Sequence, residues 1–128
     1  MRFVTTLVLA VVCLVLVGGC GKSAPQMAHG KPVADWVQAL QDPDARVRKK
    51  AAGVLGNVGA IDPAVVPALA AALKDRDAGV RNEAVLALLK MGPAAQEAGP
   101  ALAEAQTDRD PRERTYAAQA LQRIHGDR

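Results

Sequence analysis

From residue 33 onward, apolar residues recur at helical spacing. Val47, Ala51, Val54, Leu55 and Val58 fall on one face of a helix. Val80, Ala84, Ala87, Leu88 and Met91 repeat that face further along. A shorter apolar stripe precedes each of these stretches: Trp36, Val37 and Leu40 before the first, Leu69 and Leu73 before the second. The pattern therefore predicts pairs of helices, a short A helix followed by a longer B helix. A second B-helix face carries Ala45, Lys49, Ala52 and Gly56, then Ala78, Asn82, Val85 and Leu89. It is small and mostly apolar, as a contact between neighbouring pairs should be.

The pairs form three units, 33–59, 66–92 and 99–125, which align without a gap. Asp42, Asp75 and Asp108 coincide, as do Asp44, Asp77 and Asp110, and then Arg48, Arg81 and Arg114. The second aspartate of each unit is the expected N-cap of helix B, since its carboxylate can accept from the free N–H groups of the first turn. Pro111, directly after Asp110, fits the same register. Gly59 and Gly92 are the expected helix stops. Pro32 suits the start of the first A helix, and Asp62 with Pro63 predicts the start of the second. Pro67 and Pro100 should bend an A helix or delay its start. The third unit departs from the pattern, with Glu113 in place of valine and His125 in place of glycine. Polar residues at those positions fit a terminal cap. No single pair can bury both helix faces, so the units must stack, and three is near the lower limit for independent stability.

Residues 1–19 have a different character. One cation, Arg2, precedes an apolar run from Phe3 to Val17, and Gly18, Gly19 and Cys20 follow. This is the order of a secretory leader, and the run is shorter than the ~20 residues that span a bilayer. The small residues before a cysteine resemble the lipobox of bacterial lipoproteins. That resemblance implies a lipidated Cys20 as the first mature residue, with attachment to a membrane of the bacterial cell envelope, periplasmic or surface-exposed. An uncleaved apolar anchor with an ordinary Cys20 thiol is the alternative. Residues 20–31, rich in Gly, Ser and Pro, are expected to be a flexible tether of roughly 20 Å, with His29 solvated in it.

Composition narrows the chemistry. The chain has 128 residues, a net charge of +3 and only three aromatic residues, Phe3, Trp36 and Tyr116. It has no aromatic platform for stacking nucleobases, so nucleic acid is not an expected partner. Its two cysteines are Cys13 in the leader and Cys20, which leaves no disulfide and no cysteine pair for zinc. No catalytic, cofactor-binding or metal-binding set stands out, and no cofactor is expected.

The recurring "D-x-D-x-x-V-R-x-x-A" turn, with its later "A-L" and closing glycine, resembles the HEAT repeats, in the short form named after phycobilisome lyases. The resemblance implies an all-α fold, a short α-solenoid of about three helical hairpins over residues 32–128, with the B helices on its concave side. Each arginine is then expected to tie the interhelical turn of its own or the adjacent unit. The residues that vary between units are candidates for a protein- or peptide-binding face: Arg46, Lys50, Glu83, Leu86, Lys90, Arg112, Tyr116 and Arg123. The expected function is a membrane-anchored, non-enzymatic docking or scaffolding module. The alternatives are an adaptor that stacks end to end with another helical-repeat chain, which would cover Trp36, and a divergent phycobilin-lyase-like carrier of a chromophore or small ligand.

Overall fold

Paired aspartates set the helix starts. In the computed structural model, which describes residues 26–126, Asp44, Asp77 and Asp110 cap the three long helices, accepting from the N–H groups of Arg46, Val80 and Arg112 at 2.8, 3.0 and 2.8 Å. The first aspartate of each pair braces the second: Asp42, Asp75 and Asp108 each accept the N–H two residues on, all at 2.8 Å. Both recurring aspartates of the repeated turn thus have a backbone task. Residues 1–19 and Cys20 lie outside the described residues.

The order of elements is a short hairpin, β1 (Met27–Ala28) and β2 (Lys31–Pro32), then α1 (Val33–Ala39), α2 (Ala45–Val58), α3 (Val65–Ala72), α4 (Ala78–Met91), α5 (Gly99–Ala105) and α6 (Pro111–His125). 3-10 turns over Gly59–Ile61 and Gly92–Ala98 link the pairs. Gly59 and Gly92 end α2 and α4 at φ of 74° and 56°, a region that only glycine enters cheaply. His125 does not replace that stop. Gly126, one residue later, ends α6 at φ 66°, so the last helix is simply longer by a residue.

The helices stack as an all-α solenoid of three hairpins. Ala51, Ala52, Leu55, Val65, Leu69, Val80, Ala84, Val85, Leu88, Leu102, Ala117 and Ala120 are completely buried. The long helices α2, α4 and α6 lie against one another along their length, whereas the short helices meet more lightly. Small residues permit this approach: a Cβ on Gly56 would stand 2.7 Å from the Cβ of Ala87.

Three expectations need correcting. Asp62 does not cap α3. It accepts the N–H of Ala64 at 2.9 Å in a tight turn, and the helix starts only at Val65. Pro67 and Pro100 then fall in the first turns of α3 and α5, where a missing N–H costs nothing. Residues 26–31 are not spacer. Met27 pairs with Pro32 and Ala28 with Lys31, around His29 and Gly30, both at positive φ. The indole Nε1–H of Trp36 donates to the carbonyl of Ala28 at 2.8 Å, and Val33 N–H donates to Gln26 at 2.8 Å. The hairpin therefore seals the first end of the solenoid and covers Trp36 itself. Finally, Glu113 is no exposed cap residue: it is completely buried.

Candidate interaction face

The turns are locked together by arginines. Arg48 donates through Nε and Nη2 to both carboxylate oxygens of Asp75 at 2.8 and 2.9 Å, and through Nη1 to the carbonyls of Asp42 and Pro43. One guanidinium thus joins its own turn to the next unit's turn. Arg81 makes a looser version: Nη2 donates to Asp108 at 3.2 Å and Nη1 to the carbonyl of Asp75, while Nε lies 3.0 Å from the other Asp108 oxygen in an ion-pair contact without a hydrogen bond. Burial alone would raise the pKa of Asp75 and of Asp108. The arginine contacts and the turn N–H groups outweigh it and hold both carboxyls below the ordinary range. Among the described residues the Arg114 side chain donates only to its own turn, to the carbonyls of Asp108 and Arg109. These residues are scaffold.

The side of α2, α4 and α6 that faces away from the short helices carries the variable residues. Equivalent positions form rows across the helices: Lys50, Glu83 and Tyr116; Gly53, Leu86 and Gln119; Asn57, Lys90 and Arg123. The rows are in contact. Lys90 Nζ donates to Asn57 Oδ1 at 2.9 Å, Arg123 Nη1 donates to the Leu89 carbonyl at 3.2 Å, and Glu83 lies over Gly53. Lys90 and Arg123 are exposed, while Glu83, Leu86 and Tyr116 are half-buried. Tyr116 packs partly against the core, so only part of its side chain is open to a partner. At the helix starts, Arg46 pairs with Asp44 at 3.1 Å and Arg112 sits 3.8 Å from Asp110, both extended into solvent. Lys50 leans the other way, with its ammonium 5.8 Å from the Trp36 ring.

That lean reveals a cluster that periodicity alone does not show. Lys31 and Lys50 both lie over Trp36, at 5.6 and 5.8 Å, and His29 meets its edge at 6.5 Å. The available signal was the His29–Gly30 pair before the first helix, a two-residue turn.

Glu113 is the other residue of unusual chemistry. It occupies the α6 position that Val80 fills in α4, and neither carboxylate oxygen has a hydrogen-bond partner. Burial first, then the negative charges of Asp108 and Asp110, push its pKa up to about 7 against the pull of Arg81.

Among the described residues no helix is long and apolar enough to cross a membrane, and no group of His, Cys, Asp and Glu is placed to hold a metal. No curated protein is significantly similar to the chain. The structure is similar to that of the complex of CpcE and CpcF of phycocyanin lyase from Nostoc sp. PCC7120, with a TM-score of 0.66 and 30% identity over 81% of this chain and 40% of that one. It is also similar to an engineered protein, with a TM-score of 0.61 and 28% identity over 73% of this chain and 45% of the other. The chain spans less than half the length of either. Residues 33–122 match the HEAT repeats, and with the three stacked hairpins and their Asp–Arg turns this chain belongs to the HEAT-repeat family.

Proposed function

We propose that the protein is a lipid-anchored docking module that binds another protein through the exposed side of α2, α4 and α6. The observation that carries this is the contrast between two sides of the same helices. The side toward the neighbouring unit repeats small apolar residues, whereas the outward rows change from unit to unit, from Lys50 to Glu83 to Tyr116 and from Gly53 to Leu86 to Gln119. A repeat scaffold needs the first, and selective recognition needs the second. Basic Lys90, Arg112 and Arg123 around the half-buried Leu86 and Tyr116 suit an acidic, partly apolar segment of the partner. Lipid on Cys20 would concentrate the module at the envelope membrane, so that modest affinity suffices. That the solved neighbour contains two subunits supports a protein-binding role. The module is non-catalytic in this reading.

Photoreactive side chains at Leu86 and Tyr116, set against controls at Gln38 and Ala71 on the short helices, test it in cells. The expected result is one shared protein adduct from the first pair alone, lost when Arg112→Glu is added. Adducts from the short helices alone would overturn it. Loss of lipid label in Cys20→Ala tests the anchor separately.

A second reading has its own observation. Among the described residues, Arg114 has no acidic partner where Arg48 and Arg81 clamp the next aspartate. A helical-repeat partner that offers an aspartate turn could extend the stack at α6. The opposite end is not free for this, because the hairpin occupies it.

A further inference from the structure

The three large hydrophobic residues most exposed among those described are Met27 in the hairpin, Val47 in α2 and Ile61 in the turn that follows α2. Met27 and Ile61, at 61% and 72% exposure, flank one groove floored by Val33, Val54 and Val58. Cations stand on the same end. Lys31 and Lys50 converge on Trp36, and the Arg46 side chain, 91% exposed, extends beside Val47. The nearby acids are Asp35 and Asp44, the latter bound to Arg46. Charge runs along the stack in one direction. Residues 26–59 carry five cations against three acids, residues 60–92 four against four, and residues 93–126 four against five. The basic end is therefore also the end with the exposed apolar side chains.

It is also the end where the chain enters. Because the hairpin starts by residue 27, only five residues separate Cys20 from Gln26. The six residue-to-residue steps from Cys20 to Gln26 span at most ~20 Å even when fully extended. Resting on the lipid-anchor reading above, this short link keeps the hairpin end close to the bilayer, whatever its conformation. We propose that this end of the solenoid lies on an anionic membrane surface, with Lys31, Arg46 and Lys50 against the head groups and Met27 and Ile61 dipping among them. The contact is electrostatic with an apolar component, as for other surface-bound basic faces. It fixes the orientation of the module. The stack axis then leads away from the bilayer, and α6 is the described helix farthest from it.

Trp36 is the only tryptophan in the chain, which gives a direct probe. The full lipidated protein is reconstituted into vesicles of phosphatidylethanolamine and phosphatidylglycerol, or of phosphatidylcholine alone, each doped with dansyl lipid. Energy transfer from Trp36 reports the height of the hairpin end, flotation reports anchoring, and mass spectrometry reports lipid on Cys20. Transfer is expected to be at least about twofold stronger on the anionic vesicles and to fall toward the neutral value in about 0.5 M salt, where charges are screened within a few ångströms. Arg46→Glu and Ile61→Asp, neither of which contacts the ring, should each lower it while flotation stays complete. Equal transfer on both vesicle types, indifferent to salt and to both substitutions, would overturn the membrane contact and leave the anchor standing. A mature chain with no lipid on Cys20 would overturn the anchor, and the orientation with it. A photoreactive residue at Ile61 that captures a protein in place of lipid would reassign the face to a protein partner and overturn the proposal.

Discussion

Glu113 is the residue at which this molecule departs furthest from its own repeat. A buried carboxylate without a partner is stable chiefly in its neutral form. Its ordinary pKa is 4.5 and its folded value is about 7. Between these two values the unfolded chain gives up the proton and the folded chain keeps it, so stability falls as pH rises across that window and levels off above it. The full effect is on the order of 3 kcal/mol at about 1.4 kcal/mol per unit. Asp75 and Asp108 act in the opposite sense. Their depressed pKa values stabilise the fold above the ordinary 3.8, and that contribution is lost as pH falls further. Greatest stability is therefore expected near pH 4 to 5 rather than at neutrality. Urea unfolding from pH 4 to 8 should show a decline toward neutral pH in the parent chain and a nearly flat line in Glu113→Gln. Glu113→Val, which copies Val80, should raise stability at pH 8 by about 2 kcal/mol. The sequence showed that position 113 breaks the pattern. It did not show in which direction, because a polar residue in a last repeat reads as solvent-facing until the packing of α5 and α6 around it is known.

At the level of elements, two contacts decide how the hairpins stack. Gly56 lies within α2, where alanine would normally favour the helix by about 1 kcal/mol. Here the added methyl would meet the Cβ of Ala87 at 2.7 Å and force α2 and α4 apart. Gly56→Ala should thus lower stability by about 1–3 kcal/mol, measured by thermal unfolding, and a gain would show that α2 and α4 are less closely held. The turns predict a ranking. Asp75→Ala strands the largely buried Arg48 and should cost about 3 kcal/mol. Asp108→Ala, opposite the more open Arg81, should cost less, and Arg114→Ala least, because Arg114 joins no second unit. Chemical denaturation of the three variants checks the order. Most of this architecture was legible beforehand. Recurring Asp–Asp–Arg spacing located the turns, and a period-3.6 apolar face located the long helices. The short helices were less legible. Their starts depend on competition between a turn at Asp62 and a helix start, and the chain takes the turn first. The hairpin escaped because it has two residues per strand, too few for any alternation to register.

At the scale of the whole molecule, the solenoid has two unlike ends and one continuous core. The hairpin and Trp36 close the first end, while α6 closes the other with small and polar side chains and an arginine bound only to its own turn. Repeat proteins hold together through contacts between neighbours, so cooperativity rests on the interfaces α2–α4 and α4–α6. In the parent chain both should be strong enough for one transition. Trp36 fluorescence, which sees the first end, and helical circular dichroism, which sees all three units, should then give the same midpoint. Asp108→Ala weakens the α4–α6 side alone. In that variant dichroism should begin to fall before the fluorescence does, as unit three frays from a stack whose first two units remain closed. Asp75→Ala loosens the other interface and should let the Trp36 signal move with the early phase. If both variants keep coincident transitions, the aspartate–arginine turns are not what couples the units, and the buried alanine and leucine contacts between the long helices carry the cooperativity alone.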